Sequence, residues 1–453
     1  MKRLVPLLAC SWLMVACGGS DSSNAAAPAT GDDTGIAADD ADAQPVDAAD
    51  TAPPVDHGAP STTYPAFAAD QPMLSSNGGP ILSAPVIVTV TWPKEPNVDN
   101  FENFGDKLGG TDYWKAIVSE YGVGPATSGL ANHVRETTAL ANSVTDADLQ
   151  ALVTTNLTGT TPAWPTPTAN TIYVLYVPTT TKLMTSTGGA SGSGSTVEAC
   201  SAGIGGYHES VTVNGTPVAV AIIPQCNFGT GLTQYENTTL SASHEIAEAS
   251  TDPQPNTDPA YFGVDDDHLA YYAFMQFNVE NGDMCEIFAE SPLKLTSGDL
   301  SGYFVQRQWS NVSAKAGHNP CVPAPSDPYF NVAALDLQKI IFNFGGQSIA
   351  SKGAKIPVGG TGTVTLGFYS DAATPAWNLK SFEGSLFSLS STGQPTTHDL
   401  DVTIDKTSGQ NGEKSVATIK VLKAGRNNHE LVTFESSDAK GYVHFLPIFV
   451  DSN

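Results

Sequence analysis

The sequence predicts an α/β (α+β) domain with a mixed sheet and one polar-faced helix, followed by an all-β immunoglobulin-like sandwich. Two observations carry that expectation. Between residues 85 and 253, short β-branched runs alternate with stretches whose apolar residues recur at helical spacing. Beyond Pro323 the texture changes to strand-length apolar segments separated by glycine and asparagine turns. A chain of 453 residues is too long for one ordinary core, so two domains are expected, 71–323 and 324–453.

Two non-globular segments precede them. Lys2 and Arg3 introduce an apolar stretch from Leu4 to Val15, too short for a permanent membrane helix but suited to a sorting signal. Its end, Met14-Val15-Ala16-Cys17, resembles the bacterial lipobox, in which the cysteine takes a diacylglycerol and becomes the mature N-terminus. Residues 1–17 are therefore read as a lipoprotein signal peptide with Cys17 as the lipidation site. Gly18 rather than aspartate follows, as in lipoproteins sent on to an outer membrane, so the expected location is the outer membrane or the extracellular surface. Residues 18–70 are rich in Ala, Asp, Pro, Thr and Ser and read as a disordered acidic linker that holds the folded part away from the membrane. The lipid is the only membrane contact expected.

The first domain opens with a strand over Pro85 to Trp92. Two helices follow between Asn100 and Tyr121, broken at Gly109-Gly110, and Thr145 caps a third that runs to about Leu157. Further strands are expected over Thr171–Val177 and Val218–Pro224, with a mobile loop at 185–196 and a helix from about Leu232 to Ser250, stopped by Asp252-Pro253. That loop offers no Gly-x-Ser-x-Gly elbow between a strand and a helix, so serine-nucleophile chemistry lacks support. In the second domain, strands are expected over Lys339–Phe344, Thr363–Tyr369, Leu386–Leu389, Leu400–Ile404, Val416–Val421, Glu430–Glu435 and Tyr442–Val450.

A formal net charge of −26 disfavours nucleic acid as a partner, because phosphates would be repelled. Four cysteines remain in the exported part, Cys200, Cys226, Cys285 and Cys321, without the C-x-x-C spacing of a four-cysteine zinc site. Two disulfides are expected in an oxidising compartment. Of the three pairings, Cys200 with Cys226 and Cys285 with Cys321 closes the shortest loops.

The chemistry concentrates in Ser243-His244-Glu245-Ile246-Ala247-Glu248-Ala249-Ser250-Thr251-Asp252-Pro253. At about 100° per residue, Glu248, Asp252 and Glu245 fall within roughly 100° of His244, while Ala242, Ile246 and Ala249 face the other way, toward the sheet. An i, i+4 pair lets His244 and Glu248 reach one metal ion, and Glu245 is placed to act as general base on water, the logic of His-Glu-x-x-His metalloproteases with Glu248 in place of the second histidine. The third ligand is expected from Asp283 or His208, each close in sequence to a tethered cysteine, or else from Asp252. Asp265-Asp266-Asp267-His268 lacks calcium-loop spacing and reads as a solvated loop.

These motifs have an order. Gly78-Gly79-Pro80, Tyr113-Trp114, Ala199-Cys200 through His208, Pro224-Gln225-Cys226, His244 to Pro253, Glu280-Asn281-Gly282-Asp283-Met284-Cys285 and Gln308-Trp309-Ser310-Asn311 followed by Cys321 occur as in the EXORDIUM or phosphate-induced family of secreted proteins. The chain resembles that family over about residues 78–323, and the resemblance implies a zincin-like site, with zinc as the cofactor. The expected function is a metal-dependent hydrolase, a zinc metallopeptidase acting on a peptide or cell-wall substrate. The alternative is a non-catalytic cell-surface or cell-wall binding protein whose acidic helix is structural. The anchor can be tested directly: Cys17→Ala should leave the membrane fraction for the soluble fraction, and unchanged membrane association of that variant would refute lipidation at Cys17.

Overall fold

The computed structural model describes residues 55–453 apart from 161, 187–195, 277–278, 345–346 and 390–396. The expected signal peptide, Cys17 and the expected linker as far as residue 54 lie outside the described residues. The chain forms a mixed α+β part followed by a two-sheet β part.

The first part is organised by a five-stranded sheet. Its strands are β1 (Val86–Thr91), β2 (His133–Arg135), β3 (Thr171–Val177), β4 (Tyr207–Val213) and β5 (Thr216–Pro224), in the spatial order β2-β1-β3-β5-β4. All pairs are parallel except β4 with β5, a hairpin turned at Asn214-Gly215, both at positive φ. The central strands are apolar on both sides because both faces are covered. On one face, Ile172, Val174, Tyr176, Ala219, Ala221 and Ile223 meet α1 (Val98–Leu108), α2 (Asp112–Val118) and α4 (Gln234–Thr251). On the other, Tyr173, Leu175, Val218, Val220 and Ile222 meet Leu149, Val153 and Leu157 of α3 (Asp146–Leu157), whose N-terminus carries a capping box between Thr145 and Asp148.

The 185–196 segment is only in part a loop. Lys182–Ser186 and Thr196–Glu198 are paired antiparallel strands, and residues 187–195 between them lie outside the described residues.

The second part is a β-sandwich. One sheet runs Phe330–Ala334, Thr361–Ser370, Lys414–Val421, Leu400–Ile404; the other runs Gln338–Phe344, Gln347–Lys355, Val443–Asp451, His429–Ser437, Trp377–Glu383, Ser408–Gly409. Leu386–Ser388 is a turn of 3-10 helix rather than the expected strand, and Phe330–Ala334, Gln347–Lys355 and Trp377–Glu383 are strands the sequence reading passed over. Polar alternation disguised Trp377–Glu383, where Trp377 and Leu379 face inward while Asn378 and Lys380 face water. Gly353 is required where its strand meets Phe449, since a Cβ there would lie 2.6 Å from the Phe449 carbonyl oxygen.

The two parts share a core. Phe274, Val279 and Met284 pack in one cluster with Phe330, Trp377 and Phe445, and the Tyr271 hydroxyl donates to the Phe445 carbonyl at 2.7 Å. The expected linker is packed before its predicted end at residue 70: Gly58 bridges Glu413, the Asn411 amide donates to the carbonyls of Ser61 and Thr63, and Phe67 joins Tyr329 and Tyr369. Phe67, partly buried within an otherwise polar run, supplies the apolar contact of this strap.

Asp265 to His268 is likewise not a solvated loop. His268 lies 2.7 Å from Asp265 and 3.1 Å from Asp70, joining the N-terminal strap to the first domain, with Lys352 beyond it 3.2 Å from Asp267 and 3.9 Å from Asp70. Burial opposes the charge on His268, but the hydrogen bonds to Asp265 and Asp70 overcome it and raise its pKa to about 9. Because the folded value exceeds the ordinary imidazole value of 6.5, this contribution is fully present below pH 6.5 and is lost as pH rises through 9. The loss of stability over that window should be on the order of 1–3 kcal/mol. Urea midpoints at both ends should show a smaller difference for His268→Asn than for the wild type; an equal difference would refute the assignment.

Candidate metal centre

The helix α4 is held at both ends. Thr233 and Glu236 form a capping box at its start, and Asp252 ends it before Pro253. Ala242, Ala247 and Ala249 let it lie close on Ala219 and Ala221 of β5. Its polar face is not left to solvent: from Asn237 nearly every residue is buried, with His244 and Glu245 each 5% exposed and Glu248 2%. The segment 279–310 covers that face. The Ser243 hydroxyl accepts from the Gln306 backbone amide at 2.8 Å, and the disulfide Cys285–Cys321 ties the Glu280–Glu286 stretch down at a Cα separation of 5.6 Å.

Beneath this cover His244 Nδ1 lies 3.0 Å from the Gln306 side-chain oxygen. The Gln306 amide is oriented by its own nitrogen, which donates to the Gly282 carbonyl at 2.8 Å, so the His244 Nδ1–H is the donor in that contact. Nε2 is thereby turned to Glu248 Oε2 at 3.0 Å and Asp283 Oδ1 at 3.6 Å. Glu248 is fixed through its other oxygen, which accepts from the backbone amides of Gly282 at 3.0 Å and Asp283 at 3.1 Å. Asp283 Oδ2 accepts from the Glu280 amide, and its buried Oδ1 receives no hydrogen bond. Donor atoms of His244, Glu248 and Asp283 lie within 4.8 Å of one another.

A second group mirrors the first. His208, on edge strand β4, places Nε2 3.1 Å from the Asp252 backbone carbonyl, which only accepts. Its Nδ1 faces Glu245 Oε2 at 3.4 Å and Glu248 Oε2 at 3.6 Å, and these three residues also lie within 4.8 Å of one another. The β4–β5 hairpin that carries His208 lies between Cys200 and Cys226, which the structure joins. Gly206 gives Glu245 its room: a Cβ there would meet Glu245 Cγ at 2.7 Å.

Six carboxylates, Glu245, Glu248, Asp252, Glu280, Asp283 and Glu286, surround the two imidazoles. Among the described residues the only ion pairs these acids make are with His208 and His244. Burial raises the pKa of Glu245 above the ordinary carboxylate range, that of Asp252 to about 6, and those of Glu280 and Glu286 well above the ordinary glutamate value. Burial works against charge on the histidines too, but Glu280, Glu245 and Glu248 around His208, and Glu248, Glu245 and Asp283 around His244, hold both well above the usual value. The interior therefore carries more acid than its own bases can neutralise.

Of the residues singled out from sequence, His244, Glu248, Asp283, His208 and Glu245 converge. Asp252 does not join either three-donor group as a carboxylate: its Oδ1 accepts from the Ala260 amide, and it meets His208 through its main chain because it sits past the last turn of α4. Sequence reasoning missed Gln306, Glu286 and the roles of Gly206, Gly282 and Glu280. The spacing of Glu280, Asp283 and Glu286 was the available signal.

Gly282 lies so close that a Cβ would meet Glu248 Oε1 at 2.7 Å and His244 Nδ1 at 2.8 Å. Gly282→Ala should therefore destabilise the fold by about 1–3 kcal/mol. Gly110→Ala, whose Cβ would find its nearest atom at 3.8 Å, should change stability by less than about 0.5 kcal/mol. Equal urea midpoints for the two variants would contradict the close packing at Gly282.

No family model matches the chain, and no curated protein matches it. Among solved structures, part of the chain is similar to the titin M3 domain, at 10% identity over 22% of this chain and 85% of that one, with a TM-score of 0.14. That likeness bears on no residue of the centre.

Proposed function

We propose that the protein is a lipid-anchored, extracytoplasmic metallohydrolase of zincin-like type, a zinc peptidase acting on a peptide or cell-wall substrate. The observation that carries this reading is the His244 imidazole: its Nδ1–H donates to Gln306, which turns Nε2 to Glu248 Oε2 at 3.0 Å and toward the buried Asp283 Oδ1 at 3.6 Å, an oxygen that receives no hydrogen bond. His244, Glu248 and Asp283 would hold the ion, three protein ligands being the number that leaves a position for water or substrate. Zinc bound there would supply Lewis acidity and lower the pKa of water. Glu245, next to His244 and held above the ordinary carboxylate range by burial, is suited to take a proton from water and return it to the departing amine. Two acidic ligands make this site more anionic than a two-histidine site, so its water is acidified less.

One observation favours a second reading, a structural metal site in a non-catalytic surface protein. Every donor is nearly enclosed, and closed coordination is the mark of structural sites.

Glu245→Gln should keep the ion at His244 and lose about 10²–10⁴-fold in peptide hydrolysis, since the amide cannot accept the proton. His244→Ala should lose that ion together with the thermal stabilisation that zinc gives the wild type. A metal-bound wild type without hydrolytic activity would establish the structural reading, and a wild type that neither holds nor is stabilised by zinc would defeat both.

A further inference from the structure

We propose that the centre holds two divalent cations side by side, the second between His208 Nδ1, Glu245 Oε2 and Glu248 Oε2, with Glu248 Oε2 shared by both. The first ion is the one proposed above, and the second rests on separate contacts.

His208 repeats, with its ring nitrogens exchanged, what His244 does. Each imidazole donates outward to a carbonyl oxygen, His244 from Nδ1 to Gln306 and His208 from Nε2 to Asp252, and each turns its remaining nitrogen toward carboxylates. An outward N–H to a carbonyl is how a metal-bound histidine is ordinarily oriented. The inward nitrogen of His208 faces two carboxylate oxygens at 3.4 and 3.6 Å. Charge-assisted hydrogen bonds would draw such atoms to about 2.7–2.9 Å. Ligands at about 2.0–2.2 Å from a tetrahedral ion instead stand roughly 3.3–3.6 Å apart. The Nδ1 contact with Glu245 is a long hydrogen bond at 3.4 Å, and with Glu248 Oε2 at 3.6 Å the two distances also match the spacing of ligands around a cation.

Charge leads to the same place. One divalent ion held by Glu248 and Asp283 leaves the nearby Glu245 and Glu280 with only the His208 imidazole, 3.4 Å from Glu245 Oε2 and from Glu280 Oε1, as an ion-pair partner among the described residues. Asp252 Oδ2 and Glu280 Oε1, each buried, accept no hydrogen bond; Glu280 Oε1 lies 3.4 Å from His208 Nε2 and completes the acidic surroundings of that ring. Glu248 is already built to bridge. Its Oε1 is occupied by two backbone amides, and Oε2 is the atom that approaches both histidines. Ions joined through one carboxylate oxygen sit about 3.5–4 Å apart, the separation of two-metal hydrolases, where the pair spreads the negative charge that develops on attacking and departing oxygens. Glu245 Oε2 is then a ligand, and Oε1, on the side of Gly206, is the oxygen left to take a proton from water.

The test uses the full chain, freed of metal and titrated with Mn(II). The wild type should take up two ions per chain and give the electron paramagnetic resonance spectrum of an exchange-coupled pair. His208→Gln should bind one ion with the spectrum of an isolated Mn(II), and thermal unfolding will show that it remains folded. Wild-type uptake that saturates at one ion, lost in His244→Ala and kept in His208→Gln, would overturn the second ion while leaving the first. Two uncoupled ions would overturn the Glu248 bridge. No uptake at all would overturn the metal reading as a whole.

Discussion

Burying acid without matching base is the constraint to which the first domain is fitted. Two imidazoles stand among six carboxylates, with no lysine or arginine paired to any of those acids among the described residues. An uncompensated carboxylate in such surroundings costs several kcal/mol, so the interior must take up protons or cations. Its neighbours are arranged accordingly. Glycines at 206 and 282 make room for Glu245 and Glu248, Gln306 fixes the His244 ring, and Tyr113 in turn fixes Gln306 by donating its hydroxyl to the Gln306 carbonyl at 2.6 Å.

The scaffold around this interior is stiff for ordinary reasons. Alanines on α4 and β5 bring the helix against the sheet, so the opposite face of α4 is aimed at the cover rather than at water. Each disulfide serves one half of the centre: Cys200–Cys226 closes the loop that contains His208, and Cys285–Cys321 anchors the stretch that contains Asp283. The sandwich adds support from below, because Phe274, Val279 and Met284 are buried in one cluster with Phe330, Trp377 and Phe445. The cover of the centre is therefore continuous with the core of the second domain.

Much of this was legible in the chain. Helices and strands with strong periodicity appear within a residue or two of their expected limits, as at Thr171–Val177 and at α4, where caps and prolines mark the ends. Strands with polar alternation were hidden, and Leu386–Ser388 was mistaken for a strand because a short apolar run has no period of its own. At the centre, His244, Glu245 and Glu248 followed from the turn of a single helix. His208 and Asp283 appeared as competing candidates for one place, and the structure gives each its own.

By itself the sequence determined the local quantities: the pitch that sets His244 beside Glu248, the two-part organisation, the acidic charge, and a cysteine pairing that matches the disulfides found. Only the tertiary structure decided that the polar face of α4 is buried, that a histidine from an edge strand and acids from 280–286 close over it, and that Gln306 sets one imidazole. Those facts depend on which distant segments meet. Helical periodicity reaches across a few residues, whereas the contact of His208 with Glu245 spans 37 and that of His244 with Gln306 spans 62.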